Sequence, residues 1–409
     1  MKIAVVFPGF SPFITGGAGS LLLHLCDELI KKGNEVTLIT TEIGETWKPL
    51  TPSKLKVITV GISTKTSNRD FGILLQIYDV ARMYKYLDNS FDLINIHNYP
   101  SPLAILLAKK LKRLNIPVVY QCNEPPRFIY DLYHETVKNL SILKKIGAVV
   151  TSPFFRMIDK WSVKNIDKII TISTFMQKHI KEIYGRDSTF VMPGIEIDRF
   201  RLNIDGSKIR NRFADKKDFF ILTSNILHIR KRIDILIEAI PFVLKKYKNI
   251  KVIITGDGPE KTMLENLIKE LNLQKNVFLT SFVPIEDLPK YYAACDVFAF
   301  TAVREPQGGS YAEALASGKP VIVPDEGAPV ESIIEGKTGF VFKSLDSQDL
   351  AKKIIWCIEN KHYLKKMSKD CRKWIEENRT WEKMTKETLE VFNRSVNKKG
   401  KRWEKFKNI

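Results

Sequence analysis

Short apolar runs alternate with helix-like stretches through the first half of the sequence. Ile3 to Phe7 is a continuous apolar run, typical of a strand buried on both faces. A helix is predicted next, because apolar residues recur at helical spacing from Leu22 to Leu29, and Gly33 is suited to end it. This alternation predicts a parallel sheet with helices on both faces. The further elements predicted here are strands at Val36 to Thr40, Leu93 to Ile96, Val118 to Tyr120 and Thr189 to Met192, and a helix at Leu103 to Leu114.

The same pattern restarts near residue 218. Phe219 to Thr223 predicts a strand, the apolar residues from Ile233 to Leu244 recur at helical spacing, and Val252 to Thr255 predicts the next strand. We therefore expect an α/β chain of two doubly wound, Rossmann-like parallel-sheet domains facing across a cleft. The predicted domains are residues 1–200 and 201–379, with a C-terminal helix over about residues 380–409 that packs back on the first domain.

Composition agrees with a globular chain of two domains. The chain is 44% hydrophobic and 27% charged, as in globular proteins. Its 409 residues are too many for one ordinary hydrophobic core. The five cysteines are scattered and contain no C-x-x-C pair, so we expect buried, inert thiols rather than disulfides or a zinc site. The N-terminal apolar run is too short for a signal peptide, and no stretch reaches the length of a membrane span. A cytoplasmic protein is expected.

The formal net charge of +19 favours an anionic partner. Much of the lysine is spread along the chain, which a general compositional bias explains equally well. Residues 397–409, NKKGKRWEKFKNI, form a basic tail with Trp403 and Phe406 interleaved. Such a tail suits peripheral contact with an anionic membrane at the inner face of the cell membrane, and equally suits a frayed chain end. The sequence contains no recognisable nucleic-acid-binding motif, so no nucleic-acid partner is expected.

A glycine-rich loop, PGFSPFITGGAG at residues 8–19, joins the first strand to its helix, with Gly16 and Gly17 near its end. Glycines let the backbone approach a ligand closely, and the helix that follows offers free N–H groups to a phosphate. The spacing differs from G-x-G-x-x-G, and no acidic residue ends the second strand to hold a ribose. A nicotinamide cofactor is therefore not expected, and a turn without a ligand is the alternative.

Two carboxylates eight residues apart stand in the second half, within REPQGGSYAEALASGKP at residues 304–320. The preceding strand, predicted at Val297 to Phe300, places Glu305 in a loop and Glu313 early in a short helix, both at the same edge of the sheet. A carboxylate accepts hydrogen bonds from the vicinal hydroxyls of a sugar or ribose. For Glu313 the alternative is an acid that only complements the helix dipole.

This segment resembles the E-x7-E signature of a large family of retaining GT-B glycosyltransferases, family 4 or glycosyltransferase group 1, typified by bacterial mannosyltransferases and sucrose-phosphate synthases. Other segments fall in the order and spacing of that family, so that the resemblance covers nearly the whole chain. They are the loop with Gly16 and Gly17, KGNEV (32–36), GDGP (256–259), YYAACD (291–296), GKPVI (318–322), Gly327 with Glu331, and EGKTG (335–339).

The resemblance implies a donor site mainly in the second domain. Arg230 and Lys231 would neutralise the diphosphate of a nucleotide sugar, so that neither a metal nor another cofactor is needed. Glu313 would hold the donor ribose and Glu305 the transferred sugar. A solvated basic cluster is the alternative for Arg230 and Lys231. The remaining donor contacts implied are Gly16, Gly17, Gly256, Phe282, Val283, Gly308, Gly309 and Ser310.

The basic loop departs from the family pattern at one point. Many relatives carry a Gly-Arg pair where this chain has Asn225 and Ile226. One phosphate cation is therefore missing or supplied by another residue, such as Arg232.

A second departure concerns the acceptor side. Many relatives carry a sugar-contacting histidine just after the fifth strand, where this chain has CNEPPR at residues 122–127, a run that resembles a subgroup of the family. The resemblance makes Asn123, Glu124 and Arg127 the acceptor-side candidates. His97, at a neighbouring strand end, is either a further catalytic candidate or a structural histidine.

The expected reaction is a retaining, metal-independent transfer of a hexose-type sugar from a nucleotide diphosphate sugar to a glycan or to a polyprenyl- or lipid-linked acceptor. The candidate catalytic residues are Glu305, Arg230, Lys231, Asn123 and His97, with the glutamate as a binding group and not a nucleophile. Closure of the two domains would assemble the site. The alternatives are a nucleotide-sugar epimerase or hydrolase of the same fold and a non-catalytic nucleotide-sugar-binding subunit.

Overall fold

The computed structural model of the chain describes residues 1–10, 17–61, 77–138 and 141–407, with the side chains of all of these except 135, 136, 143 and 399–407. The chain divides into two units. The first comprises Met1–Pro193 and Trp381–Ile409, and the second comprises Gly194–Thr380. The predicted Gly16 lies outside the described residues, as do the side chains of Trp403 and Phe406 in the basic tail.

The first unit is built on a parallel sheet of seven strands. Its strands are β1 (Lys2–Phe7), β2 (Glu35–Thr40), β3 (Lys56–Thr59), β4 (Leu93–His97), β5 (Val118–Gln121), β6 (Lys168–Thr171) and β7 (Thr189–Phe190). They lie in the order β3-β2-β1-β4-β5-β6-β7. Apart from its first residue, β1 is buried throughout, as its continuous apolar run predicts.

Three helices of the first unit, over residues 17–31, 102–111 and 174–184, bury apolar side chains. The helices of this unit before its C-terminal segment include α1 (Gly17–Lys31), α2 (Pro102–Leu111), α3 (Tyr133–Lys138), α4 (Ile142–Lys164) and α5 (Thr174–Tyr184). Local signals set their ends: the Ser173 hydroxyl accepts the Met176 N–H at 3.1 Å at the start of α5, and Gly185 ends that helix with φ +63°. The helix that the sequence predicted to Leu114 stops at Leu111, because Arg113 adopts a positive φ.

The second unit repeats the plan with six parallel strands in the order β10-β9-β8-β11-β12-β13. Its strands are β8 (Phe219–Ser224), β9 (Ile250–Thr255), β10 (Val277–Leu279), β11 (Val297–Ala299), β12 (Val321–Pro324) and β13 (Gly339–Phe342). Its helices are α6 (Ser207–Phe213), α7 (Ile233–Leu244), α8 (Lys261–Glu270), α9 (Leu288–Ala294), α10 (Ser310–Ala316), α11 (Ser347–Glu359) and α12 (Lys361–Asn378). The predicted restart of the pattern is confirmed.

The last helix, α13 (Trp381–Lys407), belongs to the first unit. Its Met384, Val391 and Phe392 join the buried cluster that also contains Leu22 and Leu25 of α1. The C-terminal segment therefore completes the core of the N-terminal sheet.

Strand order reverses beside one strand in each sheet. β1 lies between β2 and β4, and β8 lies between β9 and β11. Chain segments leaving such a pair of neighbours diverge to opposite faces, which opens a crevice at the carboxyl ends of the strands where doubly wound sheets bind ligands. This reversal fixes where each unit can hold a substrate.

All five cysteines are buried and unpaired, as the sequence predicted. No described helix is both long and apolar enough to cross a lipid bilayer.

Candidate active site

Lys231 and Glu305 meet where the strand order of the second sheet reverses. Lys231 ends a short 3-10 turn, Ile229–Lys231, that follows β8, and Glu305 lies in the segment after β11. The Lys231 ammonium donates to Glu305 Oε2 at 2.9 Å, and the two side chains are 13% and 15% exposed. The Thr301 hydroxyl donates to the Lys231 carbonyl at 2.8 Å, which ties the two segments together. The sheet topology thus pairs two predicted site residues 74 positions apart in sequence.

The backbone of Glu305 is held in place by Gly327. The two residues form an isolated parallel bridge, and the Ala328 N–H donates to the Glu305 carbonyl at 2.9 Å. Gly327 has φ +102°, and a Cβ there would lie only 2.8 Å from the Glu305 nitrogen. A side chain at position 327 would therefore displace the predicted sugar-binding carboxylate.

Glu313 lies in the first turn of α10, where the sequence predicted it. The hydroxyl of the fully buried Tyr292 donates to Glu313 Oε2 at 2.7 Å. Burial raises the pKa of Glu313, while the Tyr292 hydrogen bond and the nearby Arg199 act in the opposite direction. Tyr292 went unassigned in the sequence, although it belongs to the YYAACD segment. In the sequence, Tyr292 stands out only as a tyrosine within an apolar stretch, and such a residue indicates core packing as readily as ligand binding.

The segment that leads into α10 is crowded at Gly308 and open at Gly309, beside Glu313. Gly308 has φ +80°, and a Cβ there would lie 2.9 Å from the Tyr311 ring. A Cβ at Gly309 would have Glu313 Oε1, at 3.9 Å, as its nearest neighbour. The buried Ser310 hydroxyl has no hydrogen-bond partner among the described residues. These groups therefore present donors and space next to the Glu313 carboxylate.

The two arginines of the basic loop differ in their surroundings. Arg232 makes a two-pronged ion pair with Asp234, with the shortest distance 2.7 Å from Nη2 to Oδ2. The guanidinium of Arg230 makes no hydrogen bond or ion pair with another described residue, and its side chain is partly exposed. Arg230 is thus available to an anion, whereas Arg232, considered as a replacement phosphate cation, is already neutralised by Asp234.

The remaining donor candidates of the second unit lie after β9 and β10. Gly256 has φ +128° and packs so closely on the Asn225 carbonyl that a Cβ would overlap that oxygen. Phe282 is 74% exposed and Val283 is buried. The sequence missed the hydroxyl groups of Thr223, Thr255 and Thr280, which are buried at strand ends without a hydrogen-bond partner among the described residues. Strand-end threonines carry no distinctive sequence signal, because threonine is common in strands.

The acceptor-side candidates follow β5 in the first unit. Asn123 is 7% exposed and its Oδ1 accepts from Gln121 Nε2 at 3.3 Å, and Glu124 is partly exposed. Arg127 is buried and makes a two-pronged ion pair with Asp131, with a shortest distance of 2.6 Å. The Arg127 guanidinium therefore has a partner within the chain. On the glycine loop, Gly17 begins α1, and a Cβ there would meet nothing within 4 Å.

His97 is fully buried at the end of β4, beside Gln121 of β5. Its Nε2 lies 2.7 Å from Asn95 Oδ1, and burial lowers the pKa of His97 to about 3, so the ring is neutral. The atoms His97 Nδ1, Asn98 Oδ1 and Gln121 Oε1 are buried and have no partner among the described residues. Buried polar atoms are normally hydrogen-bonded, so this edge of the first sheet has unused capacity for a polar ligand or water.

Among the described residues, no group of three or more histidine, cysteine, aspartate or glutamate side chains is arranged to hold a metal ion.

Comparison with known proteins identifies both halves of the chain. Residues 15–199 match the model of Glycosyltransferase Family 4, and residues 206–381 match that of Glycosyl transferases group 1. The chain is 27% identical over 379 residues to the alpha-monoglucosyldiacylglycerol synthase of Acholeplasma laidlawii, covering 90% of this chain and 91% of that protein. It is 28% identical over 190 residues to a GDP-mannose-dependent alpha-(1-6)-phosphatidylinositol monomannoside mannosyltransferase of Mycolicibacterium smegmatis, covering 44% of this chain and 50% of that protein.

Solved structures show the same fold. Anabaena HepE in complex with UDP superposes with a TM-score of 0.74 at 20% identity, over 96% of this chain and 100% of that one. Sucrose-phosphate synthase from Thermosynechococcus elongatus superposes with a TM-score of 0.75 at 18% identity, over 96% and 98% of the two chains. With two parallel-sheet units and a match to one family model in each half, the chain is a glycosyltransferase of the GT-B fold, carrying a Glycosyltransferase Family 4 domain followed by a glycosyl transferases group 1 domain.

Proposed function

We propose that this glycosyltransferase moves a hexose-type sugar from a nucleotide diphosphate sugar to a lipid-linked or glycan acceptor, with retention of configuration and without a metal ion. The observation that carries the proposal is the Lys231–Glu305 ion pair, at 2.9 Å, within the unit that also positions Glu313 and the open position at Gly309. Cation, carboxylates and exposed N–H groups are the donors and acceptors that a diphosphate and a sugar require.

Each proposed role follows from the surroundings of the residue. Arg230, with no partner among the described side chains, binds the diphosphate together with Lys231. Glu313, steadied by Tyr292, accepts hydrogen bonds from the ribose, and Glu305 accepts them from the sugar. Gly256, Phe282 and Val283 are proposed to border the base, and donor contacts by Gly16 and Gly17 of the first unit stay a prediction from the sequence.

In the proposed reaction the bond between the anomeric carbon and the diphosphate oxygen breaks, and its electrons pass to the leaving nucleotide. Arg230 and Lys231 stabilise that charge, which is the role a divalent cation has in other enzymes. The acceptor hydroxyl attacks from the face that the nucleotide leaves, and its proton passes to a phosphate oxygen. Retention follows from this same-face attack.

The acceptor is proposed to bind the first unit near Asn123, Glu124 and Arg127. The CNEPPR run would define a subgroup in which Asn123 replaces a histidine. The polar atoms without partners on His97, Asn98 and Gln121 support a polar ligand at this edge. Because His97 itself is fully buried, we propose that it positions its neighbours and does not contact the sugar.

The names of the relatives narrow the substrates. One is named as a synthase of a glucosyl-lipid, another as a GDP-mannose-dependent mannosyltransferase of a phosphatidylinositol monomannoside, and the HepE structure contains UDP. We therefore propose a UDP- or GDP-linked hexose as donor and a membrane lipid as acceptor. A cytoplasmic protein held at the inner face of the membrane, in part by its basic tail, is consistent with such an acceptor.

The test is a transfer assay with labelled UDP-glucose and GDP-mannose, against diacylglycerol and polyprenyl phosphate, with and without EDTA. We expect a glycolipid with the anomeric configuration of the donor, formed equally well in EDTA. Inversion would disprove the same-face mechanism, and loss of activity in EDTA restored by magnesium would disprove metal independence. Free or epimerised sugar without acceptor transfer would instead identify a hydrolase or epimerase.

A ligand-binding test separates a catalyst from a binding subunit. A donor at about 100 times its dissociation constant stabilises a protein by roughly 2.7 kcal/mol, which a thermal shift detects. Stabilisation by a donor without turnover across both acceptors would favour the non-catalytic alternative. Arg230→Ala should abolish the shift, and Arg232→Ala, which removes a guanidinium already paired with Asp234, should retain most of it.

A further inference from the structure

Helix α4 exposes an apolar face along almost its whole length. Seven large apolar side chains on it are each at least 45% exposed, although soluble proteins rarely leave contiguous apolar patches larger than a few hundred Å² uncovered. We call this set the α4 face. Its members are Ile142, Ile146, Val149, Val150, Phe154, Met157 and Trp161.

The spacing of the α4 face is helical, and the opposite side of α4 is packed over the C-terminal half of the helix. The exposed residues recur at steps of three or four positions, apart from the adjacent Val149 and Val150, so they form one stripe. The buried residues of α4 are Ser152, Asp159, Ser162 and Val163, which lie on the other side of the helix and from its middle to its C-terminal end. At 1.5 Å per residue the stripe from Ile142 to Trp161 is about 29 Å long. The C-terminal half of the helix is therefore docked by one side, and the stripe forms a long apolar ridge that faces away from it.

The charges of α4 point to an anionic partner. Five of its residues are basic, and its single acidic residue, Asp159, is 2% exposed and accepts hydrogen bonds from the Tyr130 and Tyr184 hydroxyls. Lys160 and Lys164 are exposed at the C-terminal end of the stripe. The Lys110 ammonium lies 3.9 Å from the centre of the Trp161 ring. Every exposed charge on the helix is positive, and the apolar stripe adjoins these charges.

We propose that the α4 face inserts into the interfacial layer of a membrane that contains anionic lipid, with α4 lying in the membrane plane. Apolar side chains enter the boundary between headgroups and acyl chains while lysines contact the lipid phosphates, the arrangement by which amphipathic helices bind membranes. A second copy of the chain is a poorer partner, because its own net charge of +19 would oppose association. The α4 face belongs to the unit proposed to bind the lipid acceptor. A role for it in bringing the enzyme to that acceptor therefore rests on the proposed function, whereas binding of the α4 face to a membrane does not.

The test measures binding of the full chain to sedimented vesicles, in the absence of any donor sugar. The vesicles are phosphatidylcholine alone or phosphatidylcholine mixed with phosphatidylglycerol. We expect binding to the mixed vesicles that falls with added salt. The double variant Phe154→Ser and Met157→Ser should weaken that binding by about tenfold or more, since two inserted apolar side chains are lost. Lys160→Glu with Lys164→Glu should abolish the preference for phosphatidylglycerol.

The matched control is Leu50→Ser with Leu345→Ser, which removes two leucines that are 53% and 51% exposed away from α4. It should bind vesicles like the parent chain, and unfolding temperatures should be equal for all variants, because the positions are on the surface. Equal vesicle binding by the α4 variant and the parent would overturn the proposal, as would no binding at all. An α4 variant that converts a dimer to a monomer with vesicle binding unchanged would overturn it in favour of a second copy. Failure of sugar transfer would leave the vesicle result intact.

Discussion

The ammonium of Lys231 lies 2.9 Å from Glu305 Oε2, joining the segments that follow the neighbouring strands β8 and β11. Both side chains are largely withdrawn from solvent, and removing such charges from water costs several kcal/mol per ion before their attraction is counted. A pair of this kind is weak evidence for stability alone. Its place at the reversal of strand order makes a ligand the better explanation.

Lys231→Ala should lower kcat/KM for the donor about 100-fold or more, the usual effect of removing one group that stabilises developing charge. Glu305→Ala should lower it as well, because the sugar loses its acceptor of hydrogen bonds. In the double variant the losses should not add, since the two groups act through one contact. Steady-state kinetics measures these effects, with urea unfolding as control. Variants that lose stability but keep full activity would show that the pair is only structural.

Donor binding should weaken as the pH falls, and this loss should begin at a higher pH than the pKa of an ordinary glutamate would give. Burial raises the pKa of Glu313, and the proposed hydrogen bonds to ribose require its ionised form. The Tyr292 hydroxyl favours that ionised form, so Tyr292→Phe should move the acid limb to still higher pH. Glu313→Gln should remove the limb. The donor dissociation constant measured across acidic pH tests this, and a limb that stays in place in Tyr292→Phe would contradict it.

Gly308 and Gly309 should respond differently to the same substitution. Gly308→Ala places a Cβ at φ +80° and 2.9 Å from Tyr311, so it should destabilise the fold by about 1–3 kcal/mol. Gly309→Ala meets only Glu313 Oε1 at 3.9 Å, so stability should hardly change, while the donor KM should rise because the added methyl group obstructs the approach of phosphate. Urea unfolding and donor kinetics on both variants check this. An unchanged KM in Gly309→Ala would remove this segment from the donor site.

Asp159 should make the first unit less stable as pH rises from about 4 to about 6. Burial raises the pKa of Asp159 from 3.8 to about 6, so the folded state holds the proton more tightly than the unfolded state does. The stability that this proton contributes at low pH is therefore lost as the pH rises through about 4 to 6. This rise in pKa corresponds to a loss of about 3 kcal/mol in the free energy of unfolding between low and neutral pH. Asp159→Asn should therefore flatten the pH dependence of the free energy of unfolding.

The control for that substitution is Asp187→Asn, at an exposed aspartate paired with Lys181 on the surface. It should leave the slope between pH values of about 4 and 6 nearly unchanged. Equal slopes in the parent chain and Asp159→Asn would show that the buried carboxyl does not titrate in this range.

Much of the fold could be predicted from the sequence, because parallel strands buried on both faces consist of continuous apolar runs. β1 and β8 were predicted to within a residue at each end, and Glu313 was predicted early in its helix, as observed. Partners distant in sequence were less accessible: the hydroxyl of Tyr292, on α9, donates to Glu313, on α10, which lies 21 positions further along the chain. The pairing of Arg232 with Asp234 was also missed, since a local ion pair and a phosphate ligand have the same composition.

Because the cysteines are buried, the rate at which they are alkylated should report the rate of unfolding. Burial raises the pKa of every one of the five thiols, to about 12 for Cys26 and Cys295, and only the thiolate reacts with maleimides and iodoacetamide. A folded molecule should thus stay unlabelled, and mass spectrometry of the labelled fraction over time would give the opening rate of each unit separately, because Cys26 and Cys122 belong to one unit and the other three to its neighbour. A thiol introduced by Val149→Cys would be labelled at once and alone, which supplies a selective attachment point for a fluorophore on α4.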